Sequence, residues 1–368
     1  MKLLIVSNAP LIYRDAKAFA YSPYIKELAV WEKYADISFC CPVWESDRGL
    51  LITEIPFKVN HHYQLLDTNL NSLKQIIKSF IYNFYNLFVL FKAMKNADHI
   101  HLRCPGNIGL LGCLVQILFP NKNKTAKYAG NGDPISKQPL AYRLQKWILN
   151  NVFLTRNMQV LVYGNWENQS KNIKSFFTAT YSEKEKEIVL KSDLSVIEFI
   201  FVGSLVVGKN PLYAIKLIQK LAENGRNVVL NLYGDGIERH NLEFYIKENQ
   251  LEKYVFLQGN QNQEVIKKAY QKSHFVILPS KSEGWPKAIA EGMFWECVPV
   301  ATKVSCVPFM LDFGNRGILI DMNLENDIIQ IEKMLNEENV FASKSKLAAN
   351  WSQTYTTEFF ENEIKKLL

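Results

Sequence analysis

The 368-residue chain has little of what marks a metal centre, a disulfide scaffold or a membrane span. Its six cysteines, Cys40, Cys41, Cys104, Cys113, Cys297 and Cys306, show no C-x-x-C spacing. Most sit in apolar runs, the pattern of buried thiols rather than of ligands or cross-links. The histidines are scattered and no D-x-D occurs, so no metal is expected. No charge-free apolar stretch reaches the roughly 18 residues that argue for a spanning helix. The nearest, Ile76–Phe91, is interrupted by Lys78, Asn83 and Asn86. The opening MKLLIVSNAP has too short an apolar run for an export leader and reads as a buried strand, so a cytoplasmic location is expected. No G-x-G-x-x-G follows the first strand of either half, which disfavours a dehydrogenase. No dense Lys/Arg run or nucleic-acid motif is present, and no nucleic-acid partner is expected.

What the chain does have is apolar content and uneven charge. Hydrophobic residues make up 48%, enough for sizeable cores, and the length suits two domains. The formal net charge is +7. Residues 1–187 carry 23 Lys and Arg against 14 Asp and Glu, whereas residues 188–368 carry 20 against 22. The basic first half either suits an anionic partner, such as lipid headgroups or a lipid-phosphate acceptor, or is plain solvated charge.

Short apolar runs ending in polar, glycine-bearing loops recur along the chain, the grammar of doubly wound α/β domains. In the first half they are KLLIVS, DISFCCP, DHIHLRCP, TAKYA and VLVY. DHIHLRCP alternates, so His99, His101 and Arg103 share one strand face and Ile100, Leu102 and Cys104 the other. Val59–Asn96 reads as long and mostly helical, rich in Phe and Tyr. Two readings compete for it: core packing, or an amphipathic surface that touches a membrane. The charged connector Tyr181–Ser195 is the expected boundary, giving domains 1–190 and 191–350 with a helical tail, 351–368, that returns to the first domain. After it the grammar restarts with EFIFVGSLVVGKNP, NVVLNLYGDG, KYVFLQGNQ and HFVILPSKSEGWP.

The second half is organised around Pro279–Ala301, which with the preceding run HFVIL reads as strand, loop, helix and strand. Pro286 suits a helix start, and the first-turn N–H groups there favour an anion. Glu283 lies before that helix and Glu291 inside it. FVGSLVVGKNP, LYGDG, VFLQGN, LPSKSEGWPKAIAEGM and CVPVATKVS resemble, in order and spacing, the retaining family 4 (group 1) glycosyltransferases. HLRCPGNIGLLG and KYAGNGD are similar to a bacterial branch that builds surface polysaccharides. The resemblance implies a GT-B fold, with two Rossmann-like doubly wound parallel-sheet domains facing across a cleft that holds the site.

It also implies roles. Lys209 would neutralise the diphosphate of a nucleotide-sugar donor, with Gly203 and Ser204 beside it. An arginine usually stands at the place of Ser204. Glu283 would face the donor sugar, and Glu291 the ribose hydroxyls. Gly284, Trp285, Pro286 and Lys287 would line the phosphates through main-chain N–H groups, and Gly259 and Asn260 would meet the base. Asn131 or Asp133 would stand where the family places a histidine. His101 and Arg103 are acceptor-side candidates. The implied activity is metal- and cofactor-independent transfer of a sugar, with retention, to a glycan or lipid-linked glycan, with a peripheral contact at the inner membrane face. Rival readings are a silent nucleotide-sugar-binding subunit, an epimerase and a phosphorylase.

Overall fold

The strand–loop–helix grammar folds as two compact units, Met1–Phe176 with Glu361–Leu368, and Phe177–Phe360. The computed structural model describes residues 1–15, 17–67, 73–130, 138–166, 169–189, 191 and 193–368.

In the first unit, β1 (Lys2–Val6), β4 (Asp36–Pro42), β6 (His61–Leu65), β7 (His99–Cys104), β8 (Asn123–Tyr128), β9 (Met158–Tyr163) and β10 (Ile173–Phe176) form a parallel sheet, ordered β10-β9-β8-β7-β1-β4-β6. Short β2 (Ile12–Arg14), β3 (Lys17–Tyr21) and β5 (Ile52–Glu54) make a separate antiparallel sheet. α1 (Ser22–Glu32), α2 (Leu73–Asn96), α3 (Asn107–Val115) and α4 (Leu140–Leu149) complete the unit. One core joins Ile100, Leu102 and Cys104 of β7 to Leu90 and Met94 of α2, Ile108 and Cys113 of α3, and Ile148 of α4. The opposite face of β7 meets α1, where Trp31 lies 4.7 Å from the His101 ring. The alternation of DHIHLRCP therefore sorts its side chains between two faces, as period-2 geometry requires.

Two first-half expectations change. His61–Leu65 is the edge strand β6, paired with β4, and α2 starts only at Leu73. The alternation in HHYQL was masked by the aromatic run behind it. The loop after β1 contains β2, which pairs with β3 through a backbone ladder that no apolar pattern announces.

In the second unit, β11 (Ile197–Val202), β12 (Val228–Tyr233), β13 (Val255–Gly259), β14 (Phe275–Leu278), β15 (Val298–Thr302) and β16 (Ile318–Ile320) make a parallel sheet ordered β13-β12-β11-β14-β15-β16. The helices are α5 (Pro211–Glu223), α6 (Arg239–Glu248), α7 (Gln263–Lys272), α8 (Lys287–Phe294), α9 (Val307–Met310), α10 (Leu324–Leu335), α11 (Glu338–Ser352) and α12 (Thr357–Lys365), the last crossing into the first unit's closing residues. The sequence explains these starts. Pro211 opens α5 at a position where a missing N–H costs nothing. The Asn262 side chain caps α7 by accepting from the Val265 N–H at 3.0 Å.

The division falls at Phe176/Phe177, before the expected connector. Phe177 stacks on Phe359 at 5.2 Å, and Tyr181 packs on Phe294 and Trp295 at 4.9 and 5.1 Å, which ties this stretch to the second core. Of the tail, Glu361–Leu368 groups with the first unit, where Glu361 accepts from Lys33 at 2.6 Å and Tyr34 at 2.8 Å.

Candidate active site

Ligands in open parallel sheets bind at the carboxyl ends of the strands. In the second unit those ends are laced together by main chain. Gly203 N–H donates to Tyr233 O at 2.9 Å, Leu205 N–H to Asp235 O at 2.9 Å, and Gly234 N–H to Gly259 O at 2.8 Å. Lys281 N–H reaches Gly208 O at 2.8 Å, joining the loop after β11 to the loop after β14. Only glycine fits at 234, because its φ is +139° and a Cβ would stand 2.0 Å from Gly203 O. The rim is thus built from backbone held at close quarters, and Gly203, Ser204, Gly259 and Asn260 all lie on it.

The chemistry on this rim centres on one pair. Lys209 Nζ donates to Glu283 Oε1 at 2.5 Å. The Glu283 side chain is 7% exposed, whereas Lys209 is 31% exposed. A buried carboxylate held by a partly solvated ammonium is a charge pair with an open side, at the entry of a helix. Gly284 O accepts from Ser305 Oγ at 3.3 Å and Cys306 Sγ at 3.1 Å, which fixes the loop carrying Glu283. Burial pushes the Cys306 thiol up to about 12, so it serves as a neutral donor. α8 itself opens at Lys287, with Pro286 as its N-cap and not its first residue. It lies hard against β14, since a Cβ on Gly292 would sit 2.6 Å from Val276.

Glu291 keeps different company. Its carboxylate accepts from Thr180 Oγ1 at 2.8 Å and Tyr270 OH at 3.5 Å, and Lys287 Nζ lies 3.9 Å away. It lines a small cavity with Thr178, Thr180, Tyr181, Trp285 and Lys287. Burial first, and then the Glu291 charge, hold the Tyr181 and Tyr270 hydroxyls protonated, well above their ordinary range. The E-x7-E spacing thus delivers its two carboxylates to two separate sets of partners. Trp285 is buried in a ring cluster, 6.1 Å from Trp351 and 5.8 Å from Tyr355. Its side chain packs the loop and walls one side of that small cavity.

In the first unit the two acceptor-side candidates are both buried. Arg103 is buried and forks onto Glu27, with both N···O distances 3.2 Å. Lys127 reaches the same carboxylate at 2.7 Å, and the Tyr24 ring lies 3.7 Å from the guanidinium. Burial would raise the Glu27 carboxyl, but Arg103 and then Lys127 outweigh it and hold it well below the usual range. His101 is fully buried, with Nδ1 2.8 Å from Thr125 Oγ1, and burial pushes it well down. Both side chains face α1 from inside the fold, Arg103 paired with Glu27 and His101 with its Nε2 left without a hydrogen-bond partner among the described residues. Asn131 and Asp133 lie outside the described residues.

Sequence reasoning missed Thr180 and Tyr270, which no motif flags, and Glu27, an ordinary-looking helix glutamate. It also missed Arg239, whose Nη1 stands 3.7 Å from the Cβ position of Gly259 and which pairs with Glu243 at 2.9 Å and Asp235 at 3.6 Å. Its place three residues beyond the LYGDG loop, at a helix start, was the available signal.

The second unit is thus a Rossmann-like parallel sheet with a charge pair on its carboxyl rim. Residues 182–354, most of this second unit, match the family model described as glycosyl transferases group 1. Protein CapJ of Staphylococcus aureus is 24% identical, the alignment covering 100% of this chain and 95% of that protein. The lipopolysaccharide outer core galactosyltransferase WaaB superposes with a TM-score of 0.71 at 14% identity, covering 100% of this chain and 99% of that one. Alr3699/HepE of Anabaena, solved with UDP and glucose, gives 0.67 at 14% identity, covering 100% and 98%. These likenesses and the two parallel sheets establish the GT-B fold. Against three further curated relatives the chain covers 54%, 24% and 39% of their length, about half or less.

Proposed function

We propose that the chain transfers a sugar, with retention and without a metal, from a nucleoside diphosphate sugar to a surface glycan or lipid-linked glycan. The observation that carries this is the Lys209–Glu283 pair at 2.5 Å on the rim of the six-stranded sheet. As the bond from the anomeric carbon to the diphosphate oxygen breaks, negative charge grows on the phosphates. Lys209 lies where a fixed ammonium stabilises it. Positive charge develops on the sugar at the same moment, and the Glu283 carboxylate opposes it. The acceptor oxygen bonds to the anomeric carbon on the face the phosphate leaves, and its proton passes to that phosphate. Glu291, held by Thr180 on one oxygen and Tyr270 on the other, offers the remaining lone pairs of both oxygens to ribose hydroxyls. UDP is the nucleotide to try first, since the HepE structure contains it. A lipid-linked acceptor would place the work at the inner membrane face.

The test is sugar transfer from a panel of nucleotide sugars to lipid-linked glycan, with Lys209→Ala and Glu283→Gln. Both should lower kcat by roughly 10²–10³, the usual cost of one transition-state charge contact. Full activity in both variants would overturn the assignment. Donor binding by the wild type without turnover on any acceptor would favour a silent binding subunit.

A further inference from the structure

A helix on the outside of a sheet normally turns its charged residues to solvent. α2 also turns large apolar side chains outward. Its inward positions are Leu90, Ala93 and Met94, all buried, with Asn86 also inside. Its outward positions, three or four residues apart, include Ile81, Tyr85 and Phe88, the last 68% exposed. The neighbouring segments add further outward apolar side chains. Leu118 just beyond α3 is 64% exposed, and Trp147 on α4 is 60% exposed. All three helices share one core on one face of the sheet, so their outward residues lie on one side of the first unit. Single exposed apolar residues are ordinary, but a run of them over three adjacent helices is not.

The charge on the same stretch has one sign. From Leu73 to Arg156 the chain holds twelve Lys and Arg against two acidic residues, Asp98 and Asp133, and of the twelve Arg103, Lys124 and Lys127 are buried. Lys92 and Lys95 extend the outward face of α2, Arg143 that of α4, and all three are exposed. Apolar and aromatic side chains set among cations are the composition of a helix face that lies in a lipid interface, where indole and phenol rings sit at headgroup depth. Among the described residues no helix is long and apolar enough to cross a membrane.

We propose that the outward face of α2, α3 and α4 docks on an anionic lipid surface. The apolar side chains enter the headgroup boundary, and the lysines and arginines meet lipid phosphates. This deepens the lipid-linked-acceptor reading by naming the face that meets the membrane. It can be tested apart from that reading, because lipid binding needs no sugar donor.

The experiment is sedimentation of the full chain with phosphatidylcholine vesicles, with and without phosphatidylglycerol. Binding should require phosphatidylglycerol and should weaken with added salt. Phe88→Glu with Trp147→Glu should abolish it. Arg143→Glu with Lys92→Glu should weaken it roughly fivefold or more per cation replaced. The thermal shift produced by UDP should stay unchanged in every variant, which reports an intact second unit, and an unchanged circular dichroism spectrum reports the fold. Equal binding to neutral vesicles, or no loss in either double variant, would overturn the proposal. So would a wild type that ignores vesicles and elutes as a dimer that Phe88→Glu dissolves, which would make the face a contact between copies.

Discussion

The two units share a parallel-sheet plan and use charge in opposite ways. In the second, the Lys209–Glu283 pair stands at a rim with the lysine partly open to solvent. In the first, Glu27, Arg103 and Lys127 form an ion cluster sealed inside the fold. Both sets come from strand ends and the elements beside them, yet only the open one can exchange a protein partner for a ligand. Exposure, more than residue type, separates a reactive charge from a structural one.

That contrast can be broken. The largest expected effect is Glu27→Ala, which leaves two cations buried without their shared carboxylate. It should cost the first unit about 3–5 kcal/mol. Urea unfolding followed by probes in each unit would measure it, and a loss below 1 kcal/mol, roughly a surface pair's worth, would mean the cluster is solvated. Gly292→Ala probes the packing of α8 on β14. A methyl group 2.6 Å from Val276 should cost about 1–3 kcal/mol, read as a lower Tm.

A pH test sharpens the comparison further. Burial depresses His99 to about 4, and burial followed by the Arg103 charge depresses His101 well below its usual value. Glu27 and Lys127 flank His101 as well. Both imidazoles fold neutral. The unfolded chain takes up protons first as pH drops through about 6.5, so stability falls from there toward pH 4. The slope is roughly 1.4 kcal/mol per pH unit for each histidine. His99→Gln should flatten that slope, and an unchanged slope would place the pH sensitivity elsewhere. The smallest effect expected is Thr180→Val. It removes one hydrogen bond to Glu291, worth about 1 kcal/mol, and should weaken donor binding severalfold by calorimetry while leaving kcat close to wild type.

Legibility in the sequence followed the same divide. The second unit's strands, the helix after Pro286 and the pair Lys209 and Glu283 could be read from apolar runs, glycine turns and the G-K-N-P and E-x7-E spacings. Those signals are local, and the loops lie at strand ends that parallel topology must bring together. The first unit was harder. His101 and Arg103 were read correctly onto one strand face, but nothing in DHIHLRCP says that α1 covers it. Glu27, 76 residues before Arg103, carries no mark of its role. Strand β6 hid in front of an aromatic helix, and the aromatic run itself fitted a core as well as a surface.

The sequence by itself determined two α/β domains, a basic first half, and a lysine and glutamate placed on adjoining rim loops. These rest on periodicity, composition and turn chemistry, which are properties of neighbours along the chain. The tertiary structure decided which charges are sealed and which stay open. It parted Glu291 from Glu283 and gave it Thr180 and Tyr270, and it turned the aromatic side of α2 outward. Burial is a property of what the rest of the chain lays over a residue, and no local pattern contains it.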